Sequence, residues 1–209
     1  MTTKLHRHQL AVLSDAGWQG LLACDWDPEA RACLTHWATR RLPLVVTRQQ
    51  SPERVALGLA APRRWGRRRI ALAVPRAQIA WFDEFPEASV LPRLRPLHAA
   101  LRARGITARV YGSHGWRLIT GLPDHVHEGS DLDLWLAVAD EAQADEAVAL
   151  LAAAPAQGPR LDGELAFPDG SAVAWREWHA WRAGRTRQLL VKTLDGCHLR
   201  EARDALETA

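Results

Sequence analysis

Apolar and polar positions alternate most clearly in the second half of the chain. A short strand pattern over residues 107–111 runs into Gly112 and Ser113, after which the spacing indicates the start of a helix. Residues 132–138 then have the pattern of a buried strand, and the alanine-rich residues 141–154 favour a helix. Strands and helices that follow one another in this way predict a sheet with helices packed against it.

A β-hairpin is predicted near the end of the chain. Residues 160–167 and 171–178 both have the composition of strands, and the Pro-Asp-Gly sequence between them is a strong turn signal. The second strand of this hairpin contains Glu177 and the first contains Glu164.

The first half of the chain also combines helix and strand patterns. Asp27 and Pro28 form a good start for a helix over residues 29–41, and strands are predicted over 54–60 and 69–74. Acidic residues and Pro86 interrupt the pattern near residues 83–88. We therefore predict two domains, one over residues 1–84 and a second over residues 85–209.

The composition is that of an ordinary globular protein. Of the 209 residues 47% are hydrophobic and 24% are charged, which excludes a disordered tail or a fibrous repeat. No apolar run reaches the roughly 18 residues of a membrane span, and the first residues lack the apolar stretch of a secretory signal. Three cysteines are too few for a disulfide framework, so we expect a reducing cytoplasm and no membrane partner.

The net charge of +3 conceals an asymmetry along the chain. Residues 1–110 hold 18 Lys and Arg against 8 Asp and Glu, whereas residues 111–209 hold 9 against 16. A basic half joined to an acidic half indicates that the two halves meet different chemistry. The densest basic run lies within residues 63–69 and includes one tryptophan; it fits nucleic-acid binding, docking of an acidic protein, or a solvated turn.

The candidate chemistry lies in two short motifs. Gly112 and Ser113 end a strand and open a helix, where backbone N–H groups and a hydroxyl can hold a phosphate. Asp131 follows Ser113 by eighteen positions, and Asp133 projects from the same face of the predicted strand. Two carboxylates this close repel each other unless a cation lies between them, and Mg²⁺ with phosphate oxygens is the usual solution.

Taken together, the strand, the Gly-Ser pair, the helix and the Asp-Leu-Asp strand resemble the nucleotidyltransferase fold typified by DNA polymerase beta. The resemblance implies an α+β fold, a mixed sheet flanked by helices, with a smaller N-terminal α/β domain. It also implies a third carboxylate on a neighbouring strand. Glu177 is favoured because it lies on the second strand of the predicted hairpin, and Glu164 is the alternative. The longer gap before Asp131 implies an inserted loop around residues 118–128, in which residues 124–127 would be solvated or would gate the substrate.

Flanking residues resemble one particular family of this fold, and the resemblance extends over nearly the whole chain. The motifs are Tyr-Gly-Ser-His-Gly-Trp from Tyr111, Ser-Asp-Leu-Asp-Leu from Ser130, and Trp-Arg-Glu-Trp from Trp175. With Pro-Leu-Val-Val-Thr-Arg ending at Arg48 and Leu-Val-Lys-Thr around Lys192, the chain is similar to the malonate decarboxylase holo-acyl-carrier-protein synthases. That family is also called phosphoribosyl-dephospho-coenzyme A transferase.

The family resemblance implies a defined reaction. A serine of the apo acyl carrier protein of malonate decarboxylase attacks the α-phosphorus of 2′-(5″-triphosphoribosyl)-3′-dephospho-coenzyme A, and diphosphate leaves. By position, Asp131, Asp133 and Glu177 would be the catalytic residues and would hold Mg²⁺. The implied donor-binding residues are Gly112, Ser113, Ser130, Arg48 and Lys192.

Two alternative functions are compatible with the residues. The chain could be another small nucleotidyltransferase, including the synthase of the citrate lyase carrier protein. It could also be a non-catalytic basic protein that binds nucleic acid, but the intact carboxylate pair and the acidic second half argue against this. Because acyl carrier proteins are generally acidic, the basic N-terminal domain is a candidate docking surface for the carrier and for the donor.

Overall fold

In a computed structural model, residues 5–155 and 157–201 can be described. The chain divides into two compact units. The first unit runs to Pro86 and also contains Tyr111–Ser130, whereas the second contains Glu87–Val110 and the chain from Asp131 onward. A single boundary near residue 85 is the sequence-based prediction, and the contacts add the segment 111–130 to the first unit.

The described residues form strands and helices in mixed order. The strands are β1 (Leu10–Leu13), β2 (Leu44–Val46), β3 (Arg54–Ala60), β4 (Arg69–Pro75), β5 (Ile79–Asp83), β6 (Thr107–Val110), β7 (Leu132–Ala137), β8 (Leu161–Ala166), β9 (Ala172–Ala174), β10 (Gln188–Lys192) and β11 (Cys197–Glu201). The helices are α1 (Asp15–Leu22), α2 (Pro28–Thr39), α3 (Arg95–Arg102), α4 (Gly112–Thr120), α5 (Glu141–Ala152) and α6 (Trp175–Arg182). Among the described residues, no helix is both long and apolar enough to cross a membrane.

The first unit is built on a five-stranded antiparallel sheet with the order β4-β3-β2-β1-β5. Strand β3 alternates as its sequence predicts, with Val55, Leu57 and Leu59 buried. Helix α2 begins as predicted at Asp27, whose carboxylate accepts hydrogen bonds from the first-turn N–H groups. Trp37 of the same helix is fully buried, so α2 carries its apolar face into the core of this unit.

The second unit contains a six-stranded mixed sheet with the order β11-β10-β9-β8-β7-β6. Strands β7 and β8 are parallel, and the other neighbouring strands are antiparallel. Leu132, Leu134 and Leu136 of β7 point into one core with residues of α3, α5 and α6. The structure therefore confirms an α+β fold with a mixed sheet and helices. The opposite face of β7 carries Asp133.

The predicted hairpin is confirmed as the antiparallel pair β8 and β9, but the prediction for the last part of its second strand is wrong. Strand β9 ends at Ala174, and the chain then forms helix α6 from Trp175, so residues 175–178 are helical. Trp175 and Trp178 lie three positions apart and are both buried, which is the spacing of one helix face. Packing of this tryptophan pair against the core explains why a helix forms where β propensity predicted a strand.

Candidate active site

The face of the sheet opposite the helices brings carboxylates from two parallel strands side by side. In the register of β7 and β8, Asp133 lies opposite Asp162, and Trp135 lies opposite Glu164. Residues that are paired in a ladder project to the same face of the sheet, so Asp162 and Glu164 share the face of Asp133. Asp131 precedes β7 by one residue and adds a further carboxylate at this end of the strand.

The environment of Asp133 disfavours a negative charge. Burial is the largest cause, followed by the charges of Asp162, Asp131 and Glu164, and together they raise the pKa of Asp133 to about 6. A carboxyl group held among other acids in this way gains the most from a nearby cation. The arrangement is therefore suited to a ligand that brings positive charge between the carboxylates.

Arg160 supplies positive charge at the edge of this cluster. Its Nε lies 3.0 Å from Oδ1 of Asp131, and its Nη2 donates to Oδ2 of the same carboxylate. The guanidinium is also 3.5 Å from Asp162. Hydrogen bonds from Arg160 lower the pKa of Asp131, so this carboxylate is ionised at neutral pH. Asp131 and Asp133 thus have different electrostatic environments although they are two residues apart.

Lys192 and Glu164 form the second charged pair of the site. The Lys192 ammonium on β10 donates to Glu164 across a distance of 2.7 Å, and the Glu164 side chain is 5% exposed. A buried carboxylate needs such a partner, because removing it from water without compensation is costly. The pair fixes Glu164 on the face of the sheet that also carries Asp133.

Gly163 allows the two acids of β8 to approach β7. Its φ is +141°, and a Cβ at this position would lie 1.9 Å from the backbone oxygen of Leu134 on β7. Because no other residue can adopt this conformation in that space, glycine is required between Asp162 and Glu164.

We expect Gly163→Ala to separate β7 from β8, since the added methyl group meets backbone and has no room to move. A cost of about 3 kcal/mol is in the range for backbone strain at a special position, which lowers Tm by roughly 6–12 °C in a chain of this size. Thermal unfolding followed by circular dichroism measures the change. Gly20→Ala is the control, because a Cβ there would have its nearest contact at 3.8 Å. Equal Tm values for the two variants would contradict the close approach.

Of the predicted site residues, the structure brings Asp131, Asp133 and Lys192 into this cluster. The predicted position of Glu177 on a strand is wrong, since it lies exposed in the first turn of α6. The alternative acid, Glu164, is a member of the cluster, and its charge raises the pKa of Asp133.

The other predicted site residues belong to the first unit. Gly112, with a φ of +62°, and Ser113 begin helix α4, where Tyr111 provides no side-chain cap for the first-turn N–H groups. Ser130 is buried, and its hydroxyl accepts a hydrogen bond from the N–H of His127 at 3.0 Å. Arg48 is exposed just after β2. The donor-binding roles of these residues stay predictions.

For residues 124–127, the prediction of a solvated loop is wrong for the first half, and the alternative, a loop that gates the substrate, stays a prediction. Asp124 accepts hydrogen bonds from Arg64 at 2.7 Å (Nη2), 2.9 Å (Nε) and 3.0 Å (backbone N). His125 packs against Trp37 and Trp116, and burial lowers its pKa to about 4. This segment is therefore anchored in the first unit, and Arg64 of the basic run serves as its anchor.

The ion pair of Arg64 and Asp124 stabilises the folded chain to an extent that depends on pH. Hydrogen bonds from Arg64 hold the pKa of Asp124 at about 2, below its ordinary value of 3.8. A lowered carboxyl pKa stabilises the folded state above the unfolded pKa, and the contribution is lost as the pH falls from about 4 to about 2. We expect Asp124→Asn to lower Tm at pH 7, with the difference from wild type shrinking between pH 5 and pH 3. Asp25→Asn, at an exposed position of the same unit, is the matched control. A constant difference for Asp124→Asn would contradict this assignment.

Sequence reasoning missed Arg160 and Asp162. Asp162 and Glu164 repeat the spacing of Asp131 and Asp133, with one residue between two acids, and this repeat is the signal that could have found them. Only the parallel register of β7 and β8 shows that the two acidic pairs share one face.

The carboxylates fit Mg²⁺ by the nature of their ligand atoms. Within residues 5–155 and 157–201, no group of three or more His, Cys, Asp or Glu side chains converges on a ready-made metal position. Mg²⁺ does not need one, since it usually binds one or two carboxylates and takes its remaining oxygens from water and substrate phosphates. Asp131 and Asp133 supply the hard oxygen atoms for such a shared site.

Comparison with protein families covers nearly the whole chain. A family model with the description "Phosphoribosyl-dephospho-CoA transferase MdcG N-terminal domain" matches residues 6–85. The model of the corresponding C-terminal domain matches residues 75–203. No solved structure matches the chain.

Relatives in several bacteria carry the same name, phosphoribosyl-dephospho-CoA transferase. One from Bradyrhizobium diazoefficiens is 37% identical over 201 residues, which cover 90% of this chain and 87% of the relative. Another from Xanthomonas euvesicatoria pv. vesicatoria is 39% identical over 207 residues, or 92% of each chain. These matches make the chain an enzyme of the transferase class. It belongs to the phosphoribosyl-dephospho-CoA transferase family, which confirms the family inferred from its sequence motifs.

Proposed function

We propose that the chain transfers the phosphoribosyl-dephospho-CoA group from its 5″-triphosphate donor to a serine of the apo acyl carrier protein of malonate decarboxylase. The serine oxygen forms a bond to the α-phosphorus, the bond from that phosphorus to diphosphate breaks, and the serine proton passes to a base. Paired acids on adjacent strands, in a chain of this family, are the observation that carries the proposal. The nucleotidyltransferase fold is part of the same proposal, supported by the carboxylate-bearing mixed sheet of the second unit.

Asp131 and Asp133 are the proposed ligands of Mg²⁺. When bound, the ion neutralises phosphate charge and lowers the pKa of the attacking hydroxyl. Arg160 donates to both oxygens of Asp131 and keeps this carboxylate ionised, and each oxygen retains a second lone pair with which to coordinate a cation. The third acid is proposed to be Glu164 rather than Glu177, because Glu164 shares the face of Asp133 and is fixed by Lys192.

Gly112 and Ser113 are the proposed ligands of the donor phosphates. The first turn of α4 has no side-chain cap, so its N–H groups can donate to an anion. Ser113 adds a hydroxyl at the second position of that turn. Arg48 and Lys192 are further candidates for contacts with coenzyme A phosphates. The hydroxyl of Ser130 accepts a hydrogen bond from the N–H of His127 and so stabilises the turn that precedes Asp131.

Intact-mass measurement tests the proposed reaction. The purified chain is incubated with apo carrier protein, the triphosphate donor and Mg²⁺, with a carrier Ser→Ala variant as the matched control. We expect one adduct of phosphoribosyl-dephospho-CoA on the wild-type carrier and none on the variant. Transfer of simple nucleotides instead would favour another nucleotidyltransferase activity. Faster modification of a citrate lyase carrier than of a malonate decarboxylase carrier would reassign the partner.

The basic turn of the first unit is the proposed contact surface for the acidic carrier protein. Arg64 and Arg68 of this run are engaged with Asp124 and Asp27. Arg63, Arg67 and Arg69 are exposed, so they supply the charge that a partner would meet.

We expect the triple variant R63E/R67E/R69E to raise KM for the carrier protein about tenfold or more at low salt, because steering between opposite charges is reversed. The KM for the donor and kcat at saturating carrier should change little. Steady-state kinetics measure both constants, and the triple variant R185E/R187E/R102E, at exposed sites of the second unit, provides a charge-matched control. An equal effect of both triple variants, or no change in KM, would reject this docking surface.

A further inference from the structure

A cavity lies within the second unit, where β7 and β8 begin. It has a volume of about 430 Å³ and lies between the end of α5 and the start of α6. Its polar and aromatic lining comes from Arg160, Trp175, Arg176 and His179. We call it the Arg160–His179 cavity. The volume is in the range of sites for small molecules.

The lining of this cavity is basic. Arg160, Arg176 and His179 face it, and the described lining residues include no Asp or Glu. A guanidinium carries five N–H donors, and the hydrogen bond of Arg176 to the backbone oxygen of Leu161, 2.8 Å long, uses one of them. Two planar guanidinium groups in one concave site favour an anion that presents several oxygens, as phosphate groups do.

The buried indole of Trp175 gives independent evidence for a ligand. The Trp175 side chain is 4% exposed, and its Nε1 has no hydrogen-bond partner among the described residues. Buried donors in folded proteins are nearly always paired, so this N–H calls for an acceptor. The guanidinium of Arg176 lies 4.3 Å from the centroid of the same indole ring, which places a cation beside the unpaired donor.

The start of helix α6 adds to the same preference. Trp175 and Arg176 are its first two residues, and the preceding Ala174 has no side-chain oxygen to cap the first turn. The helix therefore presents uncapped N–H groups and its positive dipole end beside the basic side chains.

We propose that the Arg160–His179 cavity binds a phosphoanhydride group of the donor. The inference rests on the proposed function and adds the location of donor recognition. Arg160 connects the two sites, because it lines the cavity and also donates to Asp131. A phosphoanhydride bound by Arg160 in the cavity would thus share this arginine with Asp131, one of the carboxylates proposed to hold Mg²⁺. The donor contains two such groups, the triphosphate and the diphosphate bridge of dephospho-coenzyme A.

Isothermal titration calorimetry with two probes tests the site. Dephospho-coenzyme A reports on the diphosphate bridge, and inorganic triphosphate reports on the triphosphate. We expect R176Q and H179Q each to decrease the affinity for one of the two probes by about tenfold, which is the effect of losing one charge-assisted contact. R187Q, at an exposed arginine of the same unit outside the cavity, should leave both affinities within about twofold of wild type.

Each result has a defined meaning. Weaker binding of dephospho-coenzyme A alone assigns the cavity to the diphosphate bridge, and weaker binding of triphosphate alone assigns it to the triphosphate. Unchanged affinities in R176Q and H179Q, or no binding of either probe to wild type, would overturn the site. If wild type transfers the group while these variants bind normally, the site fails and the proposed function stands. If wild type binds both probes but transfers nothing, the proposed function fails instead.

A conservative substitution addresses folding. Trp175→Phe keeps an aromatic ring in the core and removes the indole N–H. We expect Trp175→Phe to decrease the affinity for the same probe that R176Q affects, by roughly threefold to tenfold, which is the effect of losing one hydrogen bond. Its Tm, measured without probe, separates this loss from general destabilisation. An affinity equal to wild type would show that the Trp175 N–H does not meet the ligand.

Discussion

Asp133→Asn should abolish transfer to the carrier protein while the chain stays folded. The carboxylate is central in the cluster, with Asp131, Asp162 and Glu164 all close enough to raise its pKa. Replacing it with an amide removes a hard, charged oxygen ligand, and the loss of several kcal/mol of transition-state stabilisation corresponds to a rate decrease of about 10³-fold or more. Initial rates of adduct formation at saturating donor and Mg²⁺ measure the effect.

The stability of the same variant distinguishes a chemical role from a structural one. The folded-state pKa of Asp133 is raised to about 6 from 3.8, so ionising this carboxyl costs more free energy in the folded protein than in the unfolded chain. A raised carboxyl pKa lowers the stability of the folded state as the pH rises from the unfolded pKa to the folded pKa, the full cost remains at higher pH, and the amide removes this cost. In metal-free buffer at pH 8, we therefore expect Asp133→Asn to have a Tm no lower than wild type. An active variant, or an inactive variant that is unfolded, would contradict the proposed role.

Glu164→Gln should decrease transfer by about 10²-fold, whereas Glu177→Gln should stay within about twofold of wild type. Glu164 shares the sheet face of Asp133 and is held by Lys192 at 2.7 Å, whereas Glu177 is exposed on the first turn of α6. The two substitutions are chemically identical, so they differ only in the position of the acid. Rates measured under the same conditions compare them directly.

Loss of the Glu164 charge also leaves Lys192 without its carboxylate, which can lower stability. The double variant E164Q/K192Q removes both charges, and its Tm compared with that of Glu164→Gln measures this effect. Because Lys192 is itself a proposed donor contact, activity is compared only between Glu164→Gln and Glu177→Gln, and a folded Glu164→Gln with wild-type activity would place the third acid elsewhere. A larger loss in Glu177→Gln than in Glu164→Gln would return the third carboxylate to α6.

The sequence predicted the acidic strand and the family. The spacing of Asp131 and Asp133 predicted two carboxylates at an alternating apolar strand, and the structure places Asp133 in β7 and Asp131 directly before it. The flanking motifs identified the family, because they occur together over nearly the whole chain. Local signals of this kind depend on strand period and turn chemistry, which neighbouring residues determine.

Residues 175–178 show where local signals failed. In a strand, Trp175 and Trp178 would lie on opposite faces, but three-residue spacing also fits one face of a helix. Burial of both rings in the core of the second unit selects the helix. That choice moved Glu177 off the sheet and left Glu164 beside Asp133.

The sequence by itself determined the paired acids, the glycine-serine helix start and the family. The tertiary structure decided which charges share a surface. Parallel pairing of β7 with β8 places Asp162 opposite Asp133, and Gly163 permits that approach because a side chain would overlap the neighbouring backbone. Helix α5 separates β7 from β8 in the sequence, so their register depends on tertiary packing and cannot be deduced from any local sequence pattern.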